Sequence, residues 1–358
     1  MMDTDNRWQQ LAEVLLQHST ETKKGDRVLI IMREIDTFPL ARSVYREAVK
    51  AGAFPQVVFN SCYLERDLMA RGTKEQLDWI PELYAWAMEW ADVCVDLRAA
   101  VNPFEFEGIT PQVLSAHKRS EGRISALRTE KTRWVLIRVP NASFAQQAGR
   151  SLEDTMEFFF QATLLDWKRE SEKYSRFQAA LAGTETVRIV GTETDLSFST
   201  KGRKYLIDDG RINMPGGEVY TAPLEDSTEG VIYFEHPGVY GGLLIRDIRL
   251  EFRGGEVVKA GASENEGLLH ELLDMDAGAR RLGEFGFGTN PKITSFSNDI
   301  LLDEKIYGTV HIALGRAYKA CGGINESALH WDIIKDLRST GHVLVDGERV
   351  LDKGRYST

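Results

Sequence analysis

The feature that most constrains the fold is an alternation of short apolar segments with segments of helical spacing over the first 190 residues. Two of the apolar segments are VLIIM (28–32) and WVLIRV (134–139), and both lack the polar alternation of a half-buried strand. Continuously apolar strands are typical of parallel sheets, which helices cover on both faces. Strands that alternate with helices therefore predict βαβ units and a parallel sheet in this half.

The second half of the chain changes to short β-rich runs separated by glycine-rich or aspartate-rich turns. Helical spacing interrupts these runs at 264–282 and around 310–320. A long or broken helix over 151–181 makes a hinge between the halves. We therefore predict an α/β protein with two domains, a parallel-sheet α/β domain over 1–185 and a β-rich α+β metal-binding domain over 186–358.

Composition limits the classes of function. The formal net charge of −10 disfavours binding to a nucleic-acid backbone. The three cysteines lie far apart and form no CxxC pair, which excludes a thiolate zinc site and favours a reducing cytoplasm. No apolar run approaches the ~18 residues of a membrane helix, and no glycine-rich phosphate loop follows the first strand. These observations predict a cytoplasmic enzyme that binds neither nucleic acid nor membrane.

Residue types that bind metals gather in five short clusters between positions 213 and 332. The clusters contain Glu218 in NMPGGEVYTAP, Glu284 in LGEFGFG, the pair Asp303 and Glu304, His311 with Tyr318 in HIALGRAY, and His330 with Asp332 in HWD. Each cluster alone also has a simpler structural explanation, so the prediction depends on their combination.

The first two clusters are single acids in glycine-rich settings. Glu218 follows two glycines, which allow close backbone approach to a site, although a solvated glutamate in a turn has the same pattern. Glu284 lies in an apolar stretch that should be buried, and a buried carboxylate requires a cation. That cation is either a metal or a neighbouring arginine, Arg280 or Arg281.

The other three clusters bring histidines. On a helix, His311 and Tyr318 would project from one face, although a lone histidine there is more often part of a core. In a strand, His330 and Asp332 share a face, which suits either two metal ligands or one hydrogen-bonded pair. The segment 303–304 is most simply a solvated charge pair in a loop.

Mixed carboxylate and imidazole ligands without thiolates suit zinc, manganese, cobalt or iron. Carboxylates outnumber histidines in these clusters. Because one carboxylate can bridge two ions, this ratio favours a two-metal site.

Four motifs, in a fixed order, resemble the aminopeptidase T family of metallo-aminopeptidases without HExxH: NMPGGEVYTAP (213–223), RLGEFGFGTNP (281–291), HIALGRAY (311–318) and LHWDI (329–333). The resemblance implies that six residues bind two divalent metal ions, zinc, cobalt or manganese: Glu218, Glu284, His311, Tyr318, His330 and Asp332. It also implies hydrolysis of short peptides from the amino terminus, in a homodimer with an internal cavity that the α/β half walls. Glu218, as ligand or general base, and Tyr318, as ligand or oxyanion donor, are the predicted catalytic residues.

The chain departs from the family where an acidic run usually precedes the first histidine. Glu304 is the nearest equivalent, but its spacing to His311 is longer, so it stays outside the predicted ligand set. The alternative is a mononuclear iron, ring-cleaving dioxygenase of the dihydroxypyridine type, which would use His311, His330 and Asp332. A non-enzymatic binding protein and a non-peptide amide substrate are further alternatives. Retention of Glu218 together with a second glutamate favours two metals and hydrolysis.

Overall fold

The computed structural model describes residues 5–357, apart from the side chains at 111, 115 and 129–131. The chain divides into two compact units. Unit 1 extends to Trp167 and includes Gly210–Gly216, and unit 2 comprises Lys168–Asp209 and the chain from Gly217 onward. Unit 1 contains a parallel sheet and unit 2 contains antiparallel sheets, so the predicted α/β class is confirmed.

The helices of the described residues are α1 (Arg7–Val14), α2 (Phe38–Lys50), α3 (Cys62–Arg71), α4 (Lys74–Asp78), α5 (Glu82–Trp90), α6 (Pro111–Lys131), α7 (Ala142–Gln147), α8 (Leu152–Thr163), α9 (Trp167–Leu181), α10 (Glu266–Leu273) and α11 (Ile300–Asp303). The predicted helix over 151–181 is therefore broken, between α8 and α9. No helix within residues 5–357 combines the length and the apolar character that a membrane crossing requires.

The strands of the described residues are β1 (Arg27–Arg33), β2 (Phe54–Asn60), β3 (Val93–Arg98), β4 (Arg133–Arg138), β5 (Thr186–Gly191), β6 (Thr194–Ser199), β7 (Leu206–Asp208), β8 (Asn213–Met214), β9 (Glu218–Thr221), β10 (Glu229–Tyr233), β11 (Gly238–Tyr240), β12 (Leu243–Ile245), β13 (Arg249–Arg253), β14 (Glu256–Gly261), β15 (Leu282–Gly288), β16 (Thr309–Gly315), β17 (His330–Asp336), β18 (His342–Val345), β19 (Glu348–Asp352) and β20 (Arg355–Tyr356).

Unit 1 is built on a five-stranded sheet in the order β2-β1-β3-β4-β8, with every pair parallel. The central part of β1, residues 28–32, is buried, as is most of β3. Burial on both faces explains why the central part of β1 is continuously apolar in sequence, whereas the buried part of β3 also contains Asp96.

Unit 2 contains an eight-stranded sheet, β14-β13-β10-β6-β5-β18-β19-β20, and a five-stranded sheet, β17-β16-β15-β9-β7. Phe198 of β6 contacts Phe285 of β15, with ring centroids 5.0 Å apart, so these faces of the two sheets pack together. Side chains alternate along a strand, so Glu284 projects from the opposite face to Phe285. That opposite face of the five-stranded sheet carries the candidate site.

The helix predicted around 310–320 is wrong, because residues 309–315 form strand β16, which lies between β17 and β15 in the five-stranded sheet. All seven of its residues are buried, so the strand is apolar on both faces and lacks alternation. Periodicity alone does not distinguish such a run from a buried helix. The helix predicted at 264–282 is also too long, since α10 ends at Leu273 and β15 begins at Leu282.

Candidate metal centre

The sheet of unit 2 brings five of the six predicted ligands together in two overlapping groups. Glu218, Glu284 and His311 form one group, and Glu284, His330 and Asp332 form the other. Within each group the ligand atoms lie within 4.8 Å of one another. Glu284 belongs to both groups, so the two groups share a carboxylate.

Glu218 is fixed by the glycine before it. Gly217 has a φ of +128°, and a Cβ at this position would lie 2.5 Å from the Cβ of Asn290. The Gly217 amide donates to the carbonyl of Asp208, and its carbonyl accepts from the amide of Thr289, at 2.7 and 2.8 Å. Only glycine fits this position, so the motif before Glu218 serves to place its carboxylate.

Small residues between the ligands leave room for the site. Gly286 pairs with His311 across the sheet, and a Cβ on Gly286 would lie 2.2 Å from the imidazole. Ala313 pairs with Glu284 on one side and with Asp332 on the other. Gly286 and Ala313 therefore leave the space that the neighbouring ligand side chains occupy.

Four distances between donor atoms repeat across the two groups. His311 Nε2 lies 3.4 Å from Glu218 Oε2 and 3.5 Å from Glu284 Oε1. His330 Nε2 lies 3.4 Å from Glu284 Oε2 and 3.4 Å from Asp332 Oδ2. Ligands at ~2.0–2.2 Å from one tetrahedral ion are separated by roughly 3.3–3.6 Å. These distances are therefore those expected between ligands of one ion. One oxygen of Glu284 faces His311 and the other faces His330.

Backbone carbonyls orient both imidazoles. The carbonyl of Glu304 lies 3.2 Å from His311 Nδ1, and the carbonyl of Arg316 lies 2.7 Å from His330 Nδ1. A carbonyl only accepts, so Nδ1 donates in each ring. In a neutral ring this leaves the Nε2 lone pair directed at the carboxylates, which is the tautomer that binds a metal.

Three buried polar atoms of the groups have no hydrogen-bond partner among the residues that the structure describes: Glu218 Oε2, His311 Nε2 and Asp332 Oδ1. Native proteins satisfy most buried polar atoms, so three such atoms in one cluster require an explanation. Oxygen and imidazole nitrogen are suitable ligands for divalent transition metals. The donor set therefore fits metal ions.

Burial and mutual charge shift the pKa values of the five ligands. Burial raises the pKa of Glu218 well above its usual range and raises the pKa of Asp332 to about 6. Burial also acts on Glu284, but the two imidazoles, whose Nε2 atoms lie 3.5 and 3.4 Å from its oxygens, outweigh burial and lower that pKa to about 2. Burial disfavours charged imidazoles, yet the carboxylates raise the pKa of His311 to about 9 and that of His330 to about 10. Metal binding at neutral pH must therefore release protons.

Tyr318, the sixth predicted ligand, follows β16 and is half exposed, at 45%. Its ring lies against His330, with centroids 5.3 Å apart, and against Tyr220, at 5.6 Å. Burial of the hydroxyl and the charges of Glu284 and Asp332 raise the pKa of Tyr318. The phenol thus stays protonated at neutral pH and is available as a donor at the rim.

Three further charged residues, Asp208, Glu304 and Lys305, lie in the same cluster, and the sequence did not predict any of them as part of the site. Lys305 is fully buried, and its Nζ lies 3.5 Å from Glu218 Oε1 and 3.6 Å from Asp208 Oδ2. It also contacts the carboxylate of Glu304. Burial disfavours its charge, but Glu218 and the other acids outweigh this effect and raise the pKa of Lys305. The one local signal for this role of Lys305 is its position in the sequence between Glu304 and the apolar segment that forms β16.

Two simpler interpretations of the sequence are wrong. Asp303 is not a solvated charge, because it is buried and accepts from the amide and hydroxyl of Ser297 at 2.8 and 2.7 Å. The predicted arginine partners of Glu284 pair elsewhere, Arg280 with Asp274 and Arg281 with Glu256.

Comparison with known proteins gives one family and a consistent set of relatives. Residues 4–355 match the family described as thermophilic metalloprotease (M29). Aminopeptidase T of Thermus thermophilus is 27% identical, over 97% of this chain and 98% of the relative. The solved structure of wild-type AmpT from the same organism superimposes with a TM-score of 0.84 at 26% identity, over 98% and 99% of the two chains.

A second solved structure shares the fold at lower similarity. It is the 2,5-dihydroxypyridine dioxygenase of Pseudomonas putida KT2440, with a TM-score of 0.64 and 15% identity. The alignment covers 98% of this chain and 97% of the dioxygenase. At this identity the likeness concerns the fold alone.

Proposed function

The chain belongs to the thermophilic metalloprotease family M29, and from that membership we propose that it is an aminopeptidase that hydrolyses the first peptide bond of short peptides at a two-metal centre. The observation that carries the two-metal proposal is Glu284, whose oxygens face His311 and His330 separately. A carboxylate in this position is suited to bridge two ions.

The net charge of the buried cluster also supports two divalent ions. The cluster contains one ammonium and five carboxylates: Lys305 with Asp208, Glu218, Glu284, Glu304 and Asp332. With all five acids ionised and both imidazoles neutral, four negative charges remain. Buried charges without partners are costly, and two divalent cations balance this cluster.

The two groups of ligands would each hold one ion. Glu218 and His311 would hold one ion, His330 and Asp332 the other, and Glu284 both. Two bound ions supply a Lewis acid for the scissile carbonyl and a water of lowered pKa. Because the donors are oxygen and nitrogen, we propose zinc, cobalt or manganese.

The chain's own groups would complete catalysis. Glu218 is the proposed ligand or general base, since its Oε2 lies within the ligand group and accepts no hydrogen bond from the described residues. Tyr318 is the proposed ligand or oxyanion donor, because its protonated phenol stands at the exposed edge beside His330. The α-amine of a peptide would bind one of the ions or pair with a neighbouring carboxylate, which would give selectivity for free amino termini.

We further propose a cytoplasmic homodimer. The edge strand β2 of unit 1 exposes three large apolar side chains, Phe54, Val57 and Phe59, at 62, 43 and 48%. An exposed apolar edge strand is a surface that a partner usually covers. The three cysteines are free, as is typical of a reducing compartment. The role of the α/β half as a wall of the site stays a prediction.

The test compares one short peptide with its N-acetylated form, using chelator-stripped protein before and after metal is restored. We expect release of the first residue only from the free peptide and only with metal. Loss of a desolvated charge pair is worth about 2–5 kcal/mol, so acetylation should lower kcat/KM at least thirtyfold. Equal cleavage of both peptides would overturn the aminopeptidase proposal. Oxygen uptake with a dihydroxypyridine, without peptide cleavage, would instead support the oxygenase.

A further inference from the structure

Unit 1 contains a second group of metal-ligand side chains, far in sequence from the centre in unit 2. His117 and Glu121 lie four positions apart on α6, so they share one face of that helix. Glu65 faces them from α3. One ligand atom from each of the three residues lies within 4.8 Å of the other two.

The distances within this group are too long for hydrogen bonds. His117 Nε2 lies 3.9 Å from Glu65 Oε2 and 4.0 Å from Glu121 Oε2. Hydrogen bonds to oxygen end near 3.2 Å. A movement of about half an ångström would bring the three atoms to the roughly 3.3–3.6 Å separation of ligands around one tetrahedral ion.

One of the three ligand atoms is buried and unsatisfied. His117 Nε2 is inaccessible to solvent and has no hydrogen-bond partner among the described residues. It is directed at the two carboxylates, and all three side chains line one cleft of about 200 Å³ with Ser61, Ser120 and Tyr84. Buried polar atoms are rarely left unpaired, and the cleft leaves space for a further ligand such as water.

The surroundings are compatible with a cation. Among the described residues, the cation that pairs with this group is Arg33, whose Nη1 lies 3.2 Å from Glu121 Oε1. This contact uses the other oxygen of Glu121 and holds its carboxylate as an outer-shell partner would. Glu65 and Glu121 are 24% and 41% exposed at their side chains, so an ion can reach the group from solvent.

We propose that Glu65, His117 and Glu121 form a second metal site, which binds one divalent transition-metal ion such as zinc and joins α3 to α6. Histidine nitrogen and carboxylate oxygen both bind zinc, and three protein ligands leave a fourth position of the tetrahedral ion for water. The site is separate from the proposed catalytic centre, because all of its ligands lie in unit 1 and those of the centre lie in unit 2.

The experiment counts zinc in the full-length protein. Stripped protein is dialysed against buffered free Zn²⁺ and analysed by mass spectrometry for zinc per chain. The variants are His117→Gln and Glu65→Gln, and the control is His270→Gln, which replaces an exposed histidine on α10. We expect each variant to bind one ion fewer than the parent, and the control to bind the same number.

Thermal unfolding provides the second readout. Zinc should raise the Tm of the parent and of the His270→Gln protein more than that of His117→Gln, because an ion that binds only the folded state stabilises it. Aminopeptidase activity should stay within twofold of the parent in both unit 1 variants. Equal zinc content and equal zinc-induced stabilisation in the parent and in the two variants would overturn the proposal.

Discussion

The ammonium of Lys305 lies 3.5 Å from Oε1 of Glu218, and no part of the lysine is exposed to solvent. The same ammonium lies 3.6 Å from Asp208. A charged lysine is therefore built into the wall of the candidate metal centre. It holds Glu218 from the side opposite to His311, which contacts the other carboxylate oxygen.

Replacing this lysine should destabilise the protein most when metal is absent. In Lys305→Met the carboxylates lose their internal cation, and breaking a buried ion pair costs about 3–5 kcal/mol. Bound divalent ions would replace part of the missing charge, so the loss should shrink when metal is restored. Urea unfolding with and without chelator measures both values. Lys319→Met, at an exposed lysine, is the control. An equal loss with and without metal would contradict this account.

The close contact between Gly286 and the His311 ring gives a prediction with a matched control. In Gly286→Ala the new methyl group would lie 2.2 Å from the His311 ring, so the imidazole must leave its position. We expect at least a tenfold loss of kcat and a lower metal content. Gly267→Ala on α10 adds the same group where nothing lies within 4 Å, and should change neither. Full activity and metal content in Gly286→Ala would show that His311 is not held as described.

Variants of the ligands themselves should separate activity from folding. Glu218→Ala and His330→Ala should each lower activity at least a hundredfold and reduce bound metal, while the far-ultraviolet circular dichroism stays that of the parent. The reason is that each removes a donor from one of the two groups. Glu348→Gln, at an exposed position of β19, is the control. Retained activity and metal in Glu218→Ala would argue against the two-metal site.

Unit 1 has a buried charge that predicts a dependence on pH. Asp96 is fully buried, with oxygens 3.0 Å from Arg33 and 3.3 Å from both Arg98 and Arg128. Burial would raise its pKa, but the three guanidinium groups outweigh burial and lower it. Asp96→Asn should cost about 3–5 kcal/mol at pH 7, because the arginines lose their buried anion.

The sign of the pH effect follows from the direction of that shift. A carboxyl with a lowered pKa in the folded state stabilises the protein above its unfolded pKa, about 3.9, and loses this effect as the pH falls through the folded value. The gap in unfolding free energy between parent and Asp96→Asn should thus be constant from pH 8 to pH 5 and shrink below pH 4. A gap that widens on acidification would contradict the assignment. Asp92→Asn, at a partly exposed ion pair, should cost about 1 kcal/mol or less.

The sequence was informative where a local pattern has one structural meaning. Continuously apolar runs between helical segments predicted the parallel sheet of unit 1, and the HWD motif predicted a strand with His330 and Asp332 on one face. Both follow from the two-residue period of strands and from burial. The β16 strand was mistaken for a helix because strands cover both of its edges and all its residues are buried.

Long-range pairing was beyond the sequence. Nothing near Lys305 in sequence shows that its ammonium meets Asp208 and Glu218, which lie some 90 residues earlier, because these contacts depend on how the segment before β16 packs beside β7 and β9. The same holds for Glu65 and His117, which two separate helices place in one cleft. Register across a sheet and packing between helices depend on the whole fold, and local periodicity does not encode them.

The central claim is that catalysis requires two ions per chain, and the most direct measurement is activity against the amount of metal added. Stripped His117→Gln protein, whose unit 1 cluster has lost its histidine, is titrated with Zn²⁺ while aminopeptidase turnover and bound zinc are followed together. We predict that activity rises until two ions per chain are bound and then stays constant. Full activity at one ion per chain, or activity that persists with no bound metal, would contradict the account.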